Sequence, residues 1–472
     1  MKILVKNLGA IKQAEIDLSK KLTVFCGPNG TGKTYLAYLI YSITSLNNKS
    51  LGRILDKEYI NQLVSNNTTK IEIEANKLWN YREEEVNNIK ENLWNLFAVA
   101  ENKSDKFFSK TEIEIVDKFE DFEKKYYETA FERSVKLFGY NFIISKISND
   151  INIKIDLEDT QIKDQDFLRF LEVALLSRVY SILAFYPIVS STIFPVERNS
   201  IYTFSEELSI RNNDRYEMIK ELSSNKHINP FDLLFKRSTR YPQPIRDGLR
   251  VAEDLENIQM SNSPFFEFAN EIEQELLKGK VSITSEGNVE FSSDKAPRVK
   301  LSFHQSSSIV KTLSSLVIYL KHLATKDDLV IIDEPELNLH PDNQIKLTRI
   351  FARLINKGIR IVVSTHSDYI VRELNNQVMV ASAMESDKLY KVVKELGYLE
   401  DEYIRLNDMK AYLFNYKIKK NGEEEKNSEV KPIKLDFHGF DVQTLDDTIE
   451  KLNSRSEELF YNLKYNNEDE QA

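Results

Sequence analysis

The sequence predicts an α/β fold, a mixed sheet flanked by helices, interrupted by a mainly helical insertion. Three observations carry this. The short apolar run Lys21-Leu22-Thr23-Val24-Phe25-Cys26 leads into Gly27-Pro28-Asn29-Gly30-Thr31-Gly32-Lys33-Thr34, after which Leu36, Leu39, Ile40 and Ile43 recur at helical spacing. Strand, glycine-rich loop and helix are the setting that gives the pattern G-x-x-x-x-G-K-[ST] its meaning as a phosphate-binding loop. Two further apolar runs, Asp328 to Asp333 and Arg360 to Thr365, read as buried strands, each ending in residues able to do chemistry. Between 47 and 190 the composition shifts toward Asn, Lys, Glu and aromatics, with almost no glycine or proline before Pro187.

These shifts divide the chain. Residues 1–46 form an N-terminal lobe carrying the phosphate loop, 47–190 the insertion, 191–380 a C-terminal lobe, and 381–472 a C-terminal extension. In the first lobe, Lys2 to Lys6 and Glu15 to Leu18 alternate like paired strands. In the insertion, Val86, Ile89, Leu93 and Leu96, then Ile115, Phe119, Phe122 and Tyr126, follow helical spacing, while Ile151 to Leu157 alternates as a half-exposed strand. The longest apolar stretch, Val173 to Phe194, is interrupted by Arg178 and Pro187. A bilayer span needs roughly 20 predominantly apolar residues, so a buried helix followed by a strand is the expectation. Further on, Lys280 to Thr284 and Asn288 to Phe291 read as a hairpin around Glu286-Gly287. Residues 417–434 read as a flexible, Lys/Glu/Asn-rich excursion, and Ile449, Leu452, Leu459 and Leu463 give the tail helical spacing.

Composition bounds the function. The chain has 472 residues, a formal net charge of −10, 41% hydrophobic residues and a single cysteine. The acidic balance disfavours whole-molecule affinity for DNA, although Lys236-Arg237-Ser238-Thr239-Arg240-Tyr241 with Arg246 forms a compact basic cluster. That cluster suits a solvated loop or an inter-subunit contact, with nucleic-acid phosphates as the other reading. A lone cysteine excludes an internal disulfide framework, and six scattered histidines do not form a metal cluster. With no secretory leader in Met1 to Asn7 and no membrane span, a cytoplasmic location is expected.

The chemistry concentrates in four strings. The loop residues Gly27, Asn29, Gly30, Thr31 and Gly32 form the cradle for ATP, their backbone N–H groups curling around phosphate at a helix N-terminus. Lys33 neutralises the β- and γ-oxygens, and the Thr34 hydroxyl ligates Mg²⁺. The strand ending in Asp333-Glu334-Pro335 has the Walker B form, with Asp333 in the Mg²⁺ shell and Glu334 polarising the attacking water. The strand ending in Ser364-Thr365-His366 places a histidine where it can sense the γ-phosphate. Gln305-Ser306-Ser307-Ser308-Ile309-Val310-Lys311 opens a helix, and three serines there read first as an N-cap.

In this order, GPNGTGKT at 27–34, FPVERNSI at 194–201, SSSIVK at 306–311, IIDEPELNLHP at 331–341 and VVSTHSDYIV at 362–371, the chain resembles ABC-type ATPases of the SMC/RecF/OLD-like branch. It is most similar to stand-alone ATPases of bacterial anti-phage systems, such as OLD-like, Septu-type and PARIS-type proteins. The resemblance covers Met1 to about Thr44 and about Phe194 to Gln377 and hardly touches 47–190. It implies an ABC-type ATPase head in which ATP is sandwiched between two protomers of a dimer or higher homo-oligomer. Ser306, Ser307, Ser308 and Lys311 of one protomer then reach the γ-phosphate at Lys33 of the other. Asn338-Leu339-His340 takes the D-loop position, and Glu197 or Arg198 stands near the Q-loop position. Ser308 and Ile309 replace the usual signature glycines, so hydrolysis is expected to be slow or partner-dependent.

The resemblance further implies a separate effector protein, such as a nuclease, since the chain shows no Toprim-type acidic constellation and no nuclease or protease site of its own. The function implied is a nucleotide switch in anti-phage defence. A RecF-like repair ATPase acting on DNA and an ATP-bound scaffold with little hydrolysis are the competing readings.

Overall fold

In a computed structural model, residues 1–45, 57–137, 139–158, 165–204, 241–384, 387–418 and 424–469 are described. A nine-stranded sheet organises them. Its order is Glu112–Ile115, Lys2–Leu8, Ile11–Asp17, Glu424–Pro432, Met409–Ile418, Leu22–Cys26, Arg360–Thr365, Leu329–Asp333 and Ser191–Phe194. The last five run parallel to one another, and the antiparallel pairings lie toward the Glu112–Ile115 edge.

The parallel strands form because they are apolar on both faces. Leu22–Cys26 and Leu329–Asp333 are buried at every position, as parallel strands covered by helices on both sides require. Phe25 points into one core with the helix Lys33–Thr44, through Leu36, Ile40 and Ile43. Val24 and Cys26 point into the other, against Leu313, Val317, Ile350 and Leu374 of the helices Ser308–His322, Pro341–Asn356 and Asp368–Ala383. The result is a helix–sheet–helix sandwich, the α/β fold expected.

The apolar stretch Val173 to Phe194 becomes the helix Gln165–Phe185 and the edge strand Ser191–Phe194. The hairpin around Gly287 is present as Gly279–Ile283 and Val289–Ser293, joined by Lys300–Ser302 in a small antiparallel sheet. In the insertion, Val86, Ile89, Leu93 and Leu96 are buried on the helices Ala75–Glu91 and Leu93–Leu96. Other details differ. Ile115 ends a strand rather than opening a helix, because Glu112–Ile115 pairs with Lys2–Leu8 at the sheet edge. The insertion also folds Thr68–Glu72, Asn152–Leu157, Tyr140–Lys146 and Phe131–Leu137 into a four-stranded antiparallel sheet beside its helices.

The C-terminal residues differ most. Residues 417–434, expected as a flexible excursion, instead hold the end of Met409–Ile418 and all of Glu424–Pro432, antiparallel partners inside the main sheet. Residues grouped above with the extension thus lie directly beside the phosphate-loop strand, with Leu413 opposite Cys26. Of the basic cluster, Lys236 to Arg240 lie outside the described residues. Arg246 is buried and donates to the Asn95 side chain at 2.6 Å and backbone carbonyl at 3.1 Å, which turns it toward the insertion. No helix among the described residues is long and apolar enough to cross a membrane.

Candidate nucleotide site

The parallel registers set Cys26 opposite Thr365, Ser364 opposite Asp333 and Ile332 opposite Phe194, so the segments that follow leave the sheet at one edge. The crevice outside the carboxyl ends of parallel strands is where open α/β sheets bind ligands. Gly27 must turn there under the neighbouring strand. Its φ is +138°, and a Cβ would sit 2.0 Å from the Phe414 carbonyl oxygen, so a side chain is excluded. The loop is also pinned from the C-terminal side, where the Ser428 hydroxyl donates to the Thr31 carbonyl at 2.6 Å. Gly32, in left-handed conformation, starts the helix Lys33–Thr44 without a side-chain cap. The first N–H groups of that helix have no intrahelical partner and suit an anion.

Lys33 is buried, and its ammonium donates to the carbonyls of Gly27 and Pro28, each at 2.8 Å. Burial pulls its pKa below the usual value, opposed by the charges of Glu334 and Asp333. These carbonyls are neutral acceptors that a phosphate oxygen can replace with a charge-assisted bond.

The Thr34 hydroxyl donates to the Asp333 carboxylate at 2.7 Å, across 299 residues of chain. The Ser364 hydroxyl donates to the other Asp333 oxygen. Hydroxyl and carboxylate side by side are hard oxygen donors suited to Mg²⁺, which keeps waters and uses one or two protein ligands with substrate phosphates. Among the described residues no group of three or more His, Cys, Asp or Glu side chains could hold a metal. That agrees with so sparse a ligand set.

Glu334 follows with φ of +50°, an uncommon conformation for glutamate that only the surroundings can impose. Arg198 imposes it. Buried, it donates to the carbonyls of Asp333 at 2.9 Å, Glu334 at 2.8 Å and Pro195 at 3.1 Å. Burial pulls the guanidinium pKa down to about 10, with the Asp333 charge acting the other way. The Glu334 carboxyl is half-buried and held above its ordinary value, chiefly by that burial and further by Asp333 and Glu336, with His366 and Lys33 opposing. A raised pKa makes it a stronger proton acceptor than an ordinary glutamate carboxylate.

His366 is exposed, with Nδ1 3.8 Å from Glu334 and 3.3 Å from Glu336. Buried Glu336 accepts the Thr365 hydroxyl at 2.8 Å and the His366 backbone N–H at 2.7 Å on one oxygen. Its other oxygen is buried with no hydrogen-bond partner.

The structure therefore brings Lys33, Thr34, Asp333, Glu334 and His366 into one cluster. Ser307, Ser308 and Asn338 lie exposed on the surface. Ser306 is buried and donates to the Ser302 carbonyl at 3.1 Å. Lys311 donates to the His304 carbonyl at 2.8 Å. Among the described residues no hydrogen bond or ion pair joins any of them to the phosphate loop of the same chain. Asn338 has φ of +60°, in the left-handed region. Sequence reading passed over Glu336 and Ser364, although a carboxylate two residues after Glu334 and a hydroxyl two before His366 were available signals. Arg198 was named only as an alternative to Glu197, which accepts a 3.4 Å hydrogen bond from Tyr38.

Comparisons with known proteins bear on the whole head. Among curated proteins nothing matches. Solved structures similar in outline include the Smc head domain with an extended coiled coil bound to the C-terminal domain of ScpA from Pyrococcus furiosus. That pair shares 13% identity over 96% of this chain and 98% of the other, with a TM-score of 0.34. The SMC head domain from Thermotoga maritima shares 10% identity over 92% of this chain and 98% of its own, with a TM-score of 0.32. The family model described as "AAA ATPase domain" matches residues 1–371, a span holding the phosphate loop, Asp333, Glu334 and His366, and the chain belongs to that family.

Proposed function

We propose that the protein binds and hydrolyses ATP, and that its nucleotide-dependent dimer or oligomer acts as a switch on a partner effector. One observation carries the reading: the Thr34–Asp333 hydrogen bond, which joins the phosphate-loop and Asp333-Glu334 strings into one donor set beside Lys33, Glu334 and His366. Bound Mg²⁺ would neutralise phosphate charge at Thr34 and Asp333. Lys33 would release its loop carbonyls to hold phosphate oxygens, and the loop N–H groups would complete the cradle. Glu334 would accept the proton of the attacking water, and His366, braced by Glu336, would sense the terminal phosphate.

The exposed Ser307, Ser308 and Asn338, with half-buried Lys311, support a composite site completed by a second protomer. Closure driven by ATP and undone by hydrolysis is differential affinity for two states, which is what a switch requires. Control of an effector such as a nuclease, in phage defence, rests on the motif resemblance alone. The glycine-free signature favours slow turnover and keeps an ATP-bound scaffold as the second reading.

The test is steady-state ATP hydrolysis with and without double-stranded DNA, using Glu334→Gln as the blank. Turnover lost in that variant and indifferent to DNA supports the partner-controlled switch. Strong DNA stimulation moves the reading to a repair-type ATPase. Turnover equal in the wild type and the variant overturns the assignment of Glu334.

A further inference from the structure

Glu336 carries a charge that its own hydrogen bonds do not require. Its side chain is 6% exposed. One carboxylate oxygen gathers three polar groups: the Thr365 hydroxyl at 2.8 Å, the His366 backbone N–H at 2.7 Å, and His366 Nδ1, which lies 3.3 Å away. The other oxygen is buried with no hydrogen-bond partner, a costly arrangement for an anion. A neutral glutamine would offer the same single oxygen to Thr365 and to the His366 N–H. The charge therefore acts on a neighbour rather than on those two bonds.

Several neighbours feel it. Lys33 and Arg198 are favoured in their charged forms by Glu336, but both already hold backbone carbonyls. The Cys26 thiol and the Glu334 carboxyl are pushed up chiefly by their own burial, with Glu336 adding to it. His366 differs. Among the described residues its ring makes no hydrogen bond, and two carboxylate oxygens lie close to Nδ1, Glu336 at 3.3 Å and Glu334 at 3.8 Å. A neutral imidazole carries one proton, and the group beside one ring nitrogen decides which nitrogen keeps it. A lone pair on Nδ1 would be repelled by both carboxylates, whereas an N–H there is attracted. The proton belongs on Nδ1, and the lone pair on Nε2.

We propose that Glu336 is a positioning residue that fixes His366 in the Nδ1–H tautomer and so makes Nε2 a hydrogen-bond acceptor. Phosphate oxygens are acceptors too and cannot bond to such a nitrogen, whereas water can. His366 thus takes a hydrogen bond from the attacking water, holds it for Glu334, and reads the terminal phosphate through that water. The catalytic consequence rests on the nucleotide reading of the site; the tautomer does not.

Nitrogen-15 NMR of the full chain, labelled at its six histidines, reads the tautomer at about pH 8.5, above the ordinary histidine range. His366→Ala identifies the signal. The wild type should show the Nδ1–H form, and Glu336→Gln should shift the ring toward Nε2–H. Steady-state ATP hydrolysis is the second arm. Glu336→Gln should lower kcat by about 10-fold with KM unchanged, as loss of a carboxylate that orients a histidine does elsewhere. Glu336→Asp should recover part of the loss, and Glu336→Gln should cost nothing further once His366 is alanine. A wild-type ring protonated on Nε2, alone or together with Nδ1, would overturn the proposal. So would a raised KM, which assigns the charge to Lys33, or an undiminished loss in the His366→Ala background, which assigns it to Glu334 or to the scaffold. If the wild type and Glu334→Gln turn over alike, the hydrolysis reading fails, and the NMR arm still decides the role of Glu336.

Discussion

The two halves of the candidate site differ in how far one chain completes them. Around the phosphate loop, Thr34, Asp333, Ser364, Arg198, Glu336 and the Glu334 backbone are held by buried or partly buried hydrogen bonds between separate segments of the chain. At the signature and D-loop, Ser307, Ser308 and Asn338 stand exposed, and Lys311 is satisfied by a carbonyl of its own segment. The buried half is pre-organised, so its interactions are strong and costly to break. The exposed half has no such support, and in the composite site proposed above it is completed by another surface. On that proposal, geometry is built into the sheet edge and control is left to association.

Substitutions can break or sharpen this contrast. The largest expected effect is Glu334→Gln, which removes the proton acceptor and should lower kcat by about 10²–10⁴-fold. Nucleotide affinity measured by titration should stay within a few-fold of wild type. Lys33→Ala should weaken ATP binding by about 10²-fold through lost charge-assisted bonds to phosphate. Undiminished affinity there would dismiss the phosphate site altogether.

Arg198→Ala acts on the scaffold. It strands the Asp333 carbonyl and takes the second donor from the Glu334 and Pro195 carbonyls, which keep backbone N–H partners, and should cost about 3 kcal/mol in chemical denaturation. Arg198→Lys should recover only part of this, because an ammonium cannot reproduce the planar fork. Ser428→Ala removes one bond to the loop and should cost about 1 kcal/mol.

The smallest effect on an isolated head belongs to Ser308→Ala with Lys311→Ala. ATP affinity should be unchanged at protein concentrations too low for association, while any nucleotide-driven increase in mass by light scattering should be reduced. If instead this pair weakened ATP binding as much as Lys33→Ala, the two halves would belong to one protomer's site and the contrast would collapse.

Much of this was legible in the chain because the informative features are local. Gly27 to Thr34 must be read as a loop, since glycine spacing and the following helical periodicity lie within one short window. Asp333 and His366 are marked by the contrast of a chemical residue ending an apolar run. Arg198 was harder to place. Its three acceptors are backbone carbonyls, which carry no residue identity, and two of them lie in a segment far along the chain. Glu336 looks in sequence like one more acid in a polar loop, and only its burial under Thr365 and His366 gives it a task.

The sequence by itself determined the central strands and the helices that follow them, the fold class, and the residues that end those strands, because backbone propensity and side-chain periodicity are set by near neighbours. Only the tertiary structure decided that Met409–Ile418 enters the sheet beside Leu22–Cys26, that Phe414 and Ser428 shape and pin the phosphate loop, and that Arg198 holds Glu334 in a left-handed turn. Strand order and register are chosen by hydrogen bonds and buried contacts between segments hundreds of residues apart, and no local pattern along the chain encodes that choice.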